Sequence, residues 1–270
     1  MGKTLQNNQE SFGGVASMNP QIVSLVAPAK LTVSLKVTGV RADGFHLIDA
    51  EMVTLDLADE LVVDPSRTGL EITGKFAGDL NTTDQDLSNN LVSRALLLAG
   101  RKAHVRVTKN IPAGGGLGGG SADAAAILRW AGFTDLVSAA KLGADIAFCI
   151  VGGRARVLGI GEIIEPLEKL HREITLVIPP FGVSTPAVYR AFDELTDFGK
   201  VQLNNSGVND LEIAAIKVEP RLATWKQKIS QAAGVEPVLA GSGSTWWLEG
   251  KFENLAEQLA DATVVVTRTK

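Results

Sequence analysis

Residues 114–120 hold six glycines in seven positions, within Ile111-Pro112-Ala113-Gly114-Gly115-Gly116-Leu117-Gly118-Gly119-Gly120-Ser121, and the run leads straight into the alanine-rich stretch Ala122 to Trp130. Glycine loses more conformational freedom on folding than any other residue. A run this dense therefore needs backbone at positive φ, or backbone N–H groups that closely approach a ligand. Phosphate meets both needs, because the first N–H groups of a helix have no intrahelical partner and carry the positive end of its dipole. Ser121 suits the N-cap of the following helix, with Asp123 in its first turn. A flexible linker would intersperse serine or threonine and would not abut a strong helix former.

Spelling narrows the kind of loop. A Walker A loop ends in Gly-Lys-Ser/Thr, and Gly120 stands where that lysine belongs. Gly114, Gly116 and Gly119 fit G-x-G-x-x-G, but glycine-rich runs match it by chance, and no acidic residue follows a clear second strand at about 20 residues. The protein-kinase glycine loop needs a following valine and a later His-Arg-Asp, and neither is present. A third type of phosphate loop remains.

Composition limits the rest. With 45% apolar and 21% charged residues in 270, the chain can bury one large core or two moderate ones, and two domains are expected. A net charge of −4 argues against a nucleic-acid platform, so phosphate affinity must be local. The single cysteine, Cys149, sits in the apolar run Ile146 to Val151 and reads as a buried small hydrophobe. Three histidines and one cysteine make no zinc cluster. Residues 1–20 read as a disordered leader, neither signal peptide nor membrane span, with Met18 a possible native start. No stretch reaches 18 apolar residues, and a cytoplasmic protein, monomer or weak homodimer, free of membrane and nucleic acid, is expected.

Leu31, Val33, Leu35 and Val37 alternate with polar residues as in a half-buried strand, which puts Lys30 on its polar face. Strands are expected at 51–57, 60–64, 70–76 and 105–109, with a helix from Asn90 to Ala99 closed by Gly100. After the glycine loop and its helix, strands are expected at 146–151, 154–158 and 162–165. A strand at 174–178 opens the second half. Helices at 186–195, 206–216, 219–232 and 251–260 follow, with strands at 237–240, 244–249 and 262–267. Strict alternation is missing and no internal repeat is found, so the class is α+β.

Three motifs in order carry a resemblance. Pro112 to Ala125, through Gly-Gly-Gly-Leu-Gly-Gly-Gly-Ser-Ala-Asp-Ala-Ala, closely resembles the central motif of the 4-diphosphocytidyl-2-C-methyl-D-erythritol kinases, a family of the GHMP kinase superfamily. Ala27-Pro28-Ala29-Lys30-Leu31 and Arg41-Ala42-Asp43-Gly44-Phe45-His46 are similar to that family's first segments, and Leu239-Ala240-Gly241-Ser242-Gly243-Ser244-Thr245 to its last motif. The resemblance spans roughly residues 22 to 267. It implies a two-domain α+β GHMP kinase architecture: an N-terminal ribosomal protein S5 domain 2-like fold over 21–168, which binds ATP, and a C-terminal ferredoxin-like α/β sandwich over 169–270.

The implied reaction is ATP- and Mg²⁺-dependent phosphorylation of the 2-hydroxyl of a cytidine diphosphate substrate, in the non-mevalonate isoprenoid route. Such chemistry needs positioning and charge neutralisation more than covalent steps. By resemblance Asp145, in Leu142-Gly143-Ala144-Asp145, takes the place of the catalytic aspartate, and Lys30 that of its partner lysine; alone, Asp145 reads as a solvated terminus. Asn90 and Lys109 fall at positions associated with the adenine pocket. Read from the residues, they are equally an N-cap and a solvated strand-end lysine. Pro112, Gly114, Gly115, Gly116, Leu117, Gly118, Gly119, Gly120 and Ser121 form the phosphate loop, closed by Gly241, Ser242 and Gly243. Ser121 and Asp123 are the candidate Mg²⁺ contacts. On the substrate side the resemblance implies His46 on the cytosine edge, Phe45 and Tyr189 as stacking faces, Thr185 as lining, and Gly159 and Ile160 as backbone against the cytidine.

The chain departs from the family at Thr32, where asparagine is usual, and at Phe45, where tyrosine is. The stretch between Trp130 and Leu142 is some nine residues shorter than in many relatives, and Ala147 replaces a common proline. Threonine keeps a hydroxyl but loses the amide's two donors. The alternatives are another small-molecule GHMP kinase, of homoserine or mevalonate type, and a non-catalytic nucleotide-binding domain.

Overall fold

The computed structural model describes residues 21–79, 89–197 and 207–270. The expected leader and Met18 lie outside them, as does residue 206 of the expected helix 206–216.

Two long strands found the architecture. β1 (Val23–Val40) and β2 (His46–Asp64) pair antiparallel along their lengths, from Val40 opposite His46 to Val23 opposite Val63. The Arg41–Phe45 turn joins them, and Gly44 takes a φ of +85°, a conformation that disfavours other side chains. β3 (Gly69–Thr73), β4 (His104–Thr108), β5 (Arg154–Gly159) and β6 (Ile163–Pro166) complete the first sheet, in the order β3-β4-β2-β5-β6 with β1 on β2. β2 is continuous, so the expected strands 51–57 and 60–64 are one. Its inward positions run Leu55, Asp59, Leu61 and Val63, all buried. That phase places a carboxylate in the core.

Among the described residues, α1 (Leu91–Leu98), α2 (Gly119–Trp130), α3 (Leu136–Leu142) and α4 (Ala144–Val151) lie against this sheet, α2 and α4 packing on its strands and α1 and α3 packing on those two helices. α3 was not expected. α4 overturns the strand expected at 146–151. Ile146–Val151 is a short apolar run without periodicity, and backbone hydrogen bonds from Ile146 N to Gly143 O and Gly152 N to Phe148 O commit it to a helix. Ala122 to Leu128 are all buried, which explains the alanines: only small side chains let α2 press close between β1, α1 and α4.

The second sheet is antiparallel, in the order β10-β7-β9-β8, from β7 (Glu173–Ile178), β8 (Val238–Leu239), β9 (Trp246–Glu249) and β10 (Thr263–Arg268). Helices α5 (Thr185–Leu195), α6 (Glu212–Val218), α7 (Arg221–Ala233) and α8 (Leu255–Gln258) accompany it. A compact apolar cluster joins residues of both sheets, with Leu31, Leu55, Leu176, Ile178 and Trp247 packed on Ile111 and Leu117. The last two flank and interrupt the glycine run. The glycine loop is thus anchored in buried apolar packing at its entry and at its middle.

Candidate active site

α2 begins three residues earlier than a Ser121 cap would place it. Its N-cap is Gly118, at φ +69°, and Ser121 is the third helical residue rather than the N-cap. Asp123 likewise falls beyond the first turn, where no acidic residue stands. Gly114, Gly116 and Gly118 all take positive φ, the conformational demand that the sequence implied.

Lys30 lies directly beneath this loop. Its backbone N–H donates to Leu117 O at 3.0 Å, and a Cβ on Gly118 would sit 2.8 Å from its Cγ. The expected polar face of β1 is therefore not solvated: Lys30 is 6% and Thr32 2% exposed, because the loop covers them. Lys30 Nζ donates to Thr32 Oγ1 at 3.1 Å and lies 3.2 Å from Asp145 Oδ2. Asp145, 30% exposed, stands in the first turn of α4, where the helix dipole favours a carboxylate. Thr32, at the asparagine position, thus spends its hydroxyl on the lysine. Gly143, the N-cap of α4, abuts Ser121, whose Oγ would lie 3.9 Å from a Cβ there.

The third motif closes the other side of the loop. Thr245 N donates to Gly115 O at 3.2 Å, Ser242 and Thr185 share a hydrogen bond of 2.8 Å, and Gly241 lies against Thr32. A Cβ on Gly243 would stand 2.5 Å from Gly115 O and 2.6 Å from Gly116 Cα, both backbone atoms that cannot swing away. Overpacking of this kind costs about 1–3 kcal/mol. Gly243→Ala is accordingly expected to raise the KM for ATP about tenfold or more and to lower the melting temperature. An unchanged KM in steady-state kinetics would contradict this reading of the contact.

A cavity of about 290 Å³ opens behind the loop, walled by Asn90, Leu91, Lys109, Pro112, Gly116 and Gly119 among others. Asn90 serves as the N-cap of α1, its Oδ1 accepting from Val92 N at 2.8 Å. Lys109 is not solvated. It is 4% exposed and bridges two buried carboxylates, donating to Asp59 and, at 2.7 Å, to Asp123. Asp59 also accepts from Asn110 N at 2.6 Å and Ile111 N at 2.8 Å, which fixes the chain as it enters the glycine run. Burial opposes the Lys109 charge, but Asp123 and Asp59 outweigh it and raise its pKa. Burial pushes the Asp123 carboxyl up to about 7, against the pull of Lys109 and with the push of Asp59. Asp59 was missed in the sequence, although its place in the inward phase of β2 marks it: a charge there needs a buried partner.

At the other end of the site, His46 Nε2 lies 2.6 Å from Asp193 Oδ1. The His46 ring packs on Tyr189 with centroids 4.6 Å apart. Burial, and secondarily the Asp145 charge, raise the Tyr189 phenol pKa. Phe45 is 57% exposed, with the Arg41 guanidinium 6.0 Å from its ring centroid. Gly159 and Ile160 differ from expectation in one respect: the Ile160 N–H is engaged by Glu162 Oε2 at 2.6 Å. Gly161 packs on Ala144 at the start of α4, so this turn borders Asp145. Cys149 is buried, which pushes its thiol up to about 12 and leaves it inert.

Residues 90–153 match the family described as GHMP kinases N terminal domain. A 4-diphosphocytidyl-2-C-methyl-D-erythritol kinase of Paracoccus denitrificans is 39% identical over 89% of this chain and 91% of its own length. One of Desulfitobacterium hafniense is 32% identical, over 88% and 90%. The crystal structure of a 4-(cytidine 5'-diphospho)-2C-methyl-D-erythritol kinase superposes with a TM-score of 0.70 at 28% identity, covering 92% of this chain and 99% of that one. Likeness to L. major mevalonate kinase, with a TM-score of 0.65 at 12% identity over 92% and 96%, shows the fold alone. The GHMP kinase fold, the ordered motifs and this level of identity over nearly the whole length agree: the chain belongs to the 4-diphosphocytidyl-2-C-methyl-D-erythritol kinase family.

Proposed function

We propose that the chain transfers the γ-phosphoryl group of ATP to the 2-hydroxyl of 4-diphosphocytidyl-2-C-methyl-D-erythritol, giving the 2-phosphate, a step of the non-mevalonate route to isoprenoid precursors. The observation that carries this reading is the Lys30–Asp145 pair, 3.2 Å apart, roofed by the loop whose glycines run from 114 to 120. Asp145 accepts the hydroxyl proton as the acceptor oxygen bonds the γ-phosphorus. The bond to the bridging oxygen breaks and ADP leaves. Lys30 has three N–H donors; Thr32 and Asp145 orient two, and the third serves the phosphoryl oxygens. Backbone N–H groups of the loop and the N-terminus of α2 bind the triphosphate. Asn90 and the apolar wall of the cavity take the adenine, with Lys109 beneath it.

Mg²⁺ fits this site through Ser121 and not through Asp123. The Asp123 carboxylate is buried against Lys109, whereas the Ser121 hydroxyl stands at the loop beside the start of α4. Mg²⁺ keeps several waters and binds largely through phosphates, so one hydroxyl is a sufficient protein ligand. When bound, it neutralises charge on the phosphates.

Residues 21–168 and 169–270 serve as the ATP-binding and C-terminal domains, and His46, Phe45, Tyr189 and Thr185 hold the cytidine diphosphate substrate. No described helix is long and apolar enough to cross a membrane, and a cytoplasmic monomer or weak homodimer acting on a small molecule follows from this reading.

A coupled assay for ADP tests it. Turnover is expected with the cytidylyl substrate and is expected to stay at background with homoserine or mevalonate. Equal turnover on either of those acceptors would overturn the substrate assignment. ATP binding without turnover on any alcohol would overturn the enzyme.

A further inference from the structure

His46 stands at the first position of β2, and helix α5 encloses it with three side chains of a single turn and a half. Tyr189 lies 4.6 Å from its ring centroid, Phe192 meets it edge-on at 6.4 Å, and Asp193 takes its Nε2 at 2.6 Å. The side chains of His46 and Asp193 are 11% and 19% exposed, so this pair is shielded more than most surface contacts. A carboxylate only accepts, so the hydrogen in that bond belongs to Nε2. In a neutral imidazole the second nitrogen is then an acceptor, and its lone pair is fixed in space by the same bond. No hydrogen bond to Nδ1 is found among the described residues.

α5 runs from one end of the site to the other. Thr185, Tyr189 and Asp193 are spaced by four and share one helical face. Thr185 meets Ser242 of the phosphate-side motif, and Asp193 lies eight residues on, a rise of about 12 Å. That is a span suited to a substrate with a base at one end and the reacting alcohol at the other.

We propose that Asp193 is a positioning residue that determines base specificity: it locks His46 in the Nε2–H tautomer, so that Nδ1 accepts from the exocyclic 4-amino group of cytosine and opposes the 4-carbonyl of uracil. The inference rests on the cytidine reading above and extends it to a residue to which that reading gives no role. Cytosine offers a donor at its 4-position where uracil offers an acceptor, and two lone pairs cannot share a hydrogen bond. With the base plane set by Tyr189 and Phe45, a uridine substrate would leave Nδ1 desolvated and unpaired. The expected discrimination from this single contact is about tenfold to hundredfold.

The full chain is assayed with the cytidine diphosphate and uridine diphosphate forms of the substrate, and the two kcat/KM values are compared. Wild type is expected to favour the cytidine form by at least about tenfold. Asp193→Ala is expected to collapse that ratio toward unity, chiefly through a higher KM for the cytidine form. Asp193→Asn, whose amide can turn its NH2 toward Nε2 and so no longer fixes the tautomer, is expected to lose part of it. An Asp193→Ala ratio equal to that of wild type overturns the proposal, since a purely structural role would lower both values together. Nitrogen-15 NMR of the wild-type imidazole at about pH 8 decides the tautomer without any variant. Protonated Nε2 with bare Nδ1 is expected, and a proton on Nδ1 overturns the proposal. Failure of wild type to turn over the cytidine form would instead overturn the proposed function, and the NMR result would still judge the tautomer.

Discussion

Asp145→Asn lowers kcat by about 10²–10⁴-fold, the usual worth of a positioned general base, and leaves the melting temperature close to that of wild type. The two expectations come from one geometry. The carboxylate is 30% exposed at the first turn of α4, so its loss opens no cavity and strands no buried charge except in part that of Lys30. Lys30 keeps its bond to Thr32, and the amide oxygen can still accept from the ammonium. What asparagine cannot do is take the proton from the acceptor hydroxyl. KM for both substrates should therefore change much less than kcat. Steady-state kinetics alongside thermal unfolding checks both parts, and a kcat within a few-fold of wild type would remove the base from the account.

Lys109→Met has the opposite signature and costs about 3–5 kcal/mol of stability, the scale for removing one partner of a buried charge cluster. Among the described residues the ammonium is the only cation that Asp59 and Asp123 contact, and both carboxylates are nearly or fully buried. Without it, two negative charges face each other in the core, and one must take up a proton. Asp123 is the one already displaced in that direction by burial. The damage spreads because Asp59 also holds the backbone of Asn110 and Ile111, where the chain enters the phosphate loop. Urea unfolding should report a lowered midpoint, and KM for ATP should rise with it. An unchanged midpoint would mean that the cluster contributes nothing to folding.

Which residues meet around the glycine loop was more legible than the elements that carry them. The glycine run reads as a backbone cradle because few other conformations use so many glycines, and positive φ at Gly114, Gly116 and Gly118 meets the conformational part of that reading. Lys30, Asp145, Gly241 and Gly243 converge on that loop from sequence positions up to about two hundred apart, which spelling alone expresses only through likeness to a family. Local signals misled where tertiary packing decided. Ile146 to Val151 is apolar throughout, so neither a period of two nor of 3.6 can be read from it, and the helix appears only because α4 packs on α2 and α3. Ser121 looked like an N-cap because serine commonly is one, but a glycine at positive φ starts the helix earlier. Lys109 looked solvated because its two partners are 50 and 14 residues away. Asp193 was invisible for the same reason, its partner lying 147 residues upstream.

A crystal structure of the chain with a non-hydrolysable ATP analogue and the cytidylyl substrate tests the central claim most directly. The account predicts the triphosphate on the backbone N–H groups of residues 114–120, and the acceptor 2-hydroxyl within about 3 Å of Asp145, in line with the γ-phosphorus and touching Lys30. A complex with the acceptor hydroxyl far from Asp145 and Lys30, or with the nucleotide bound away from the glycine loop, would contradict it.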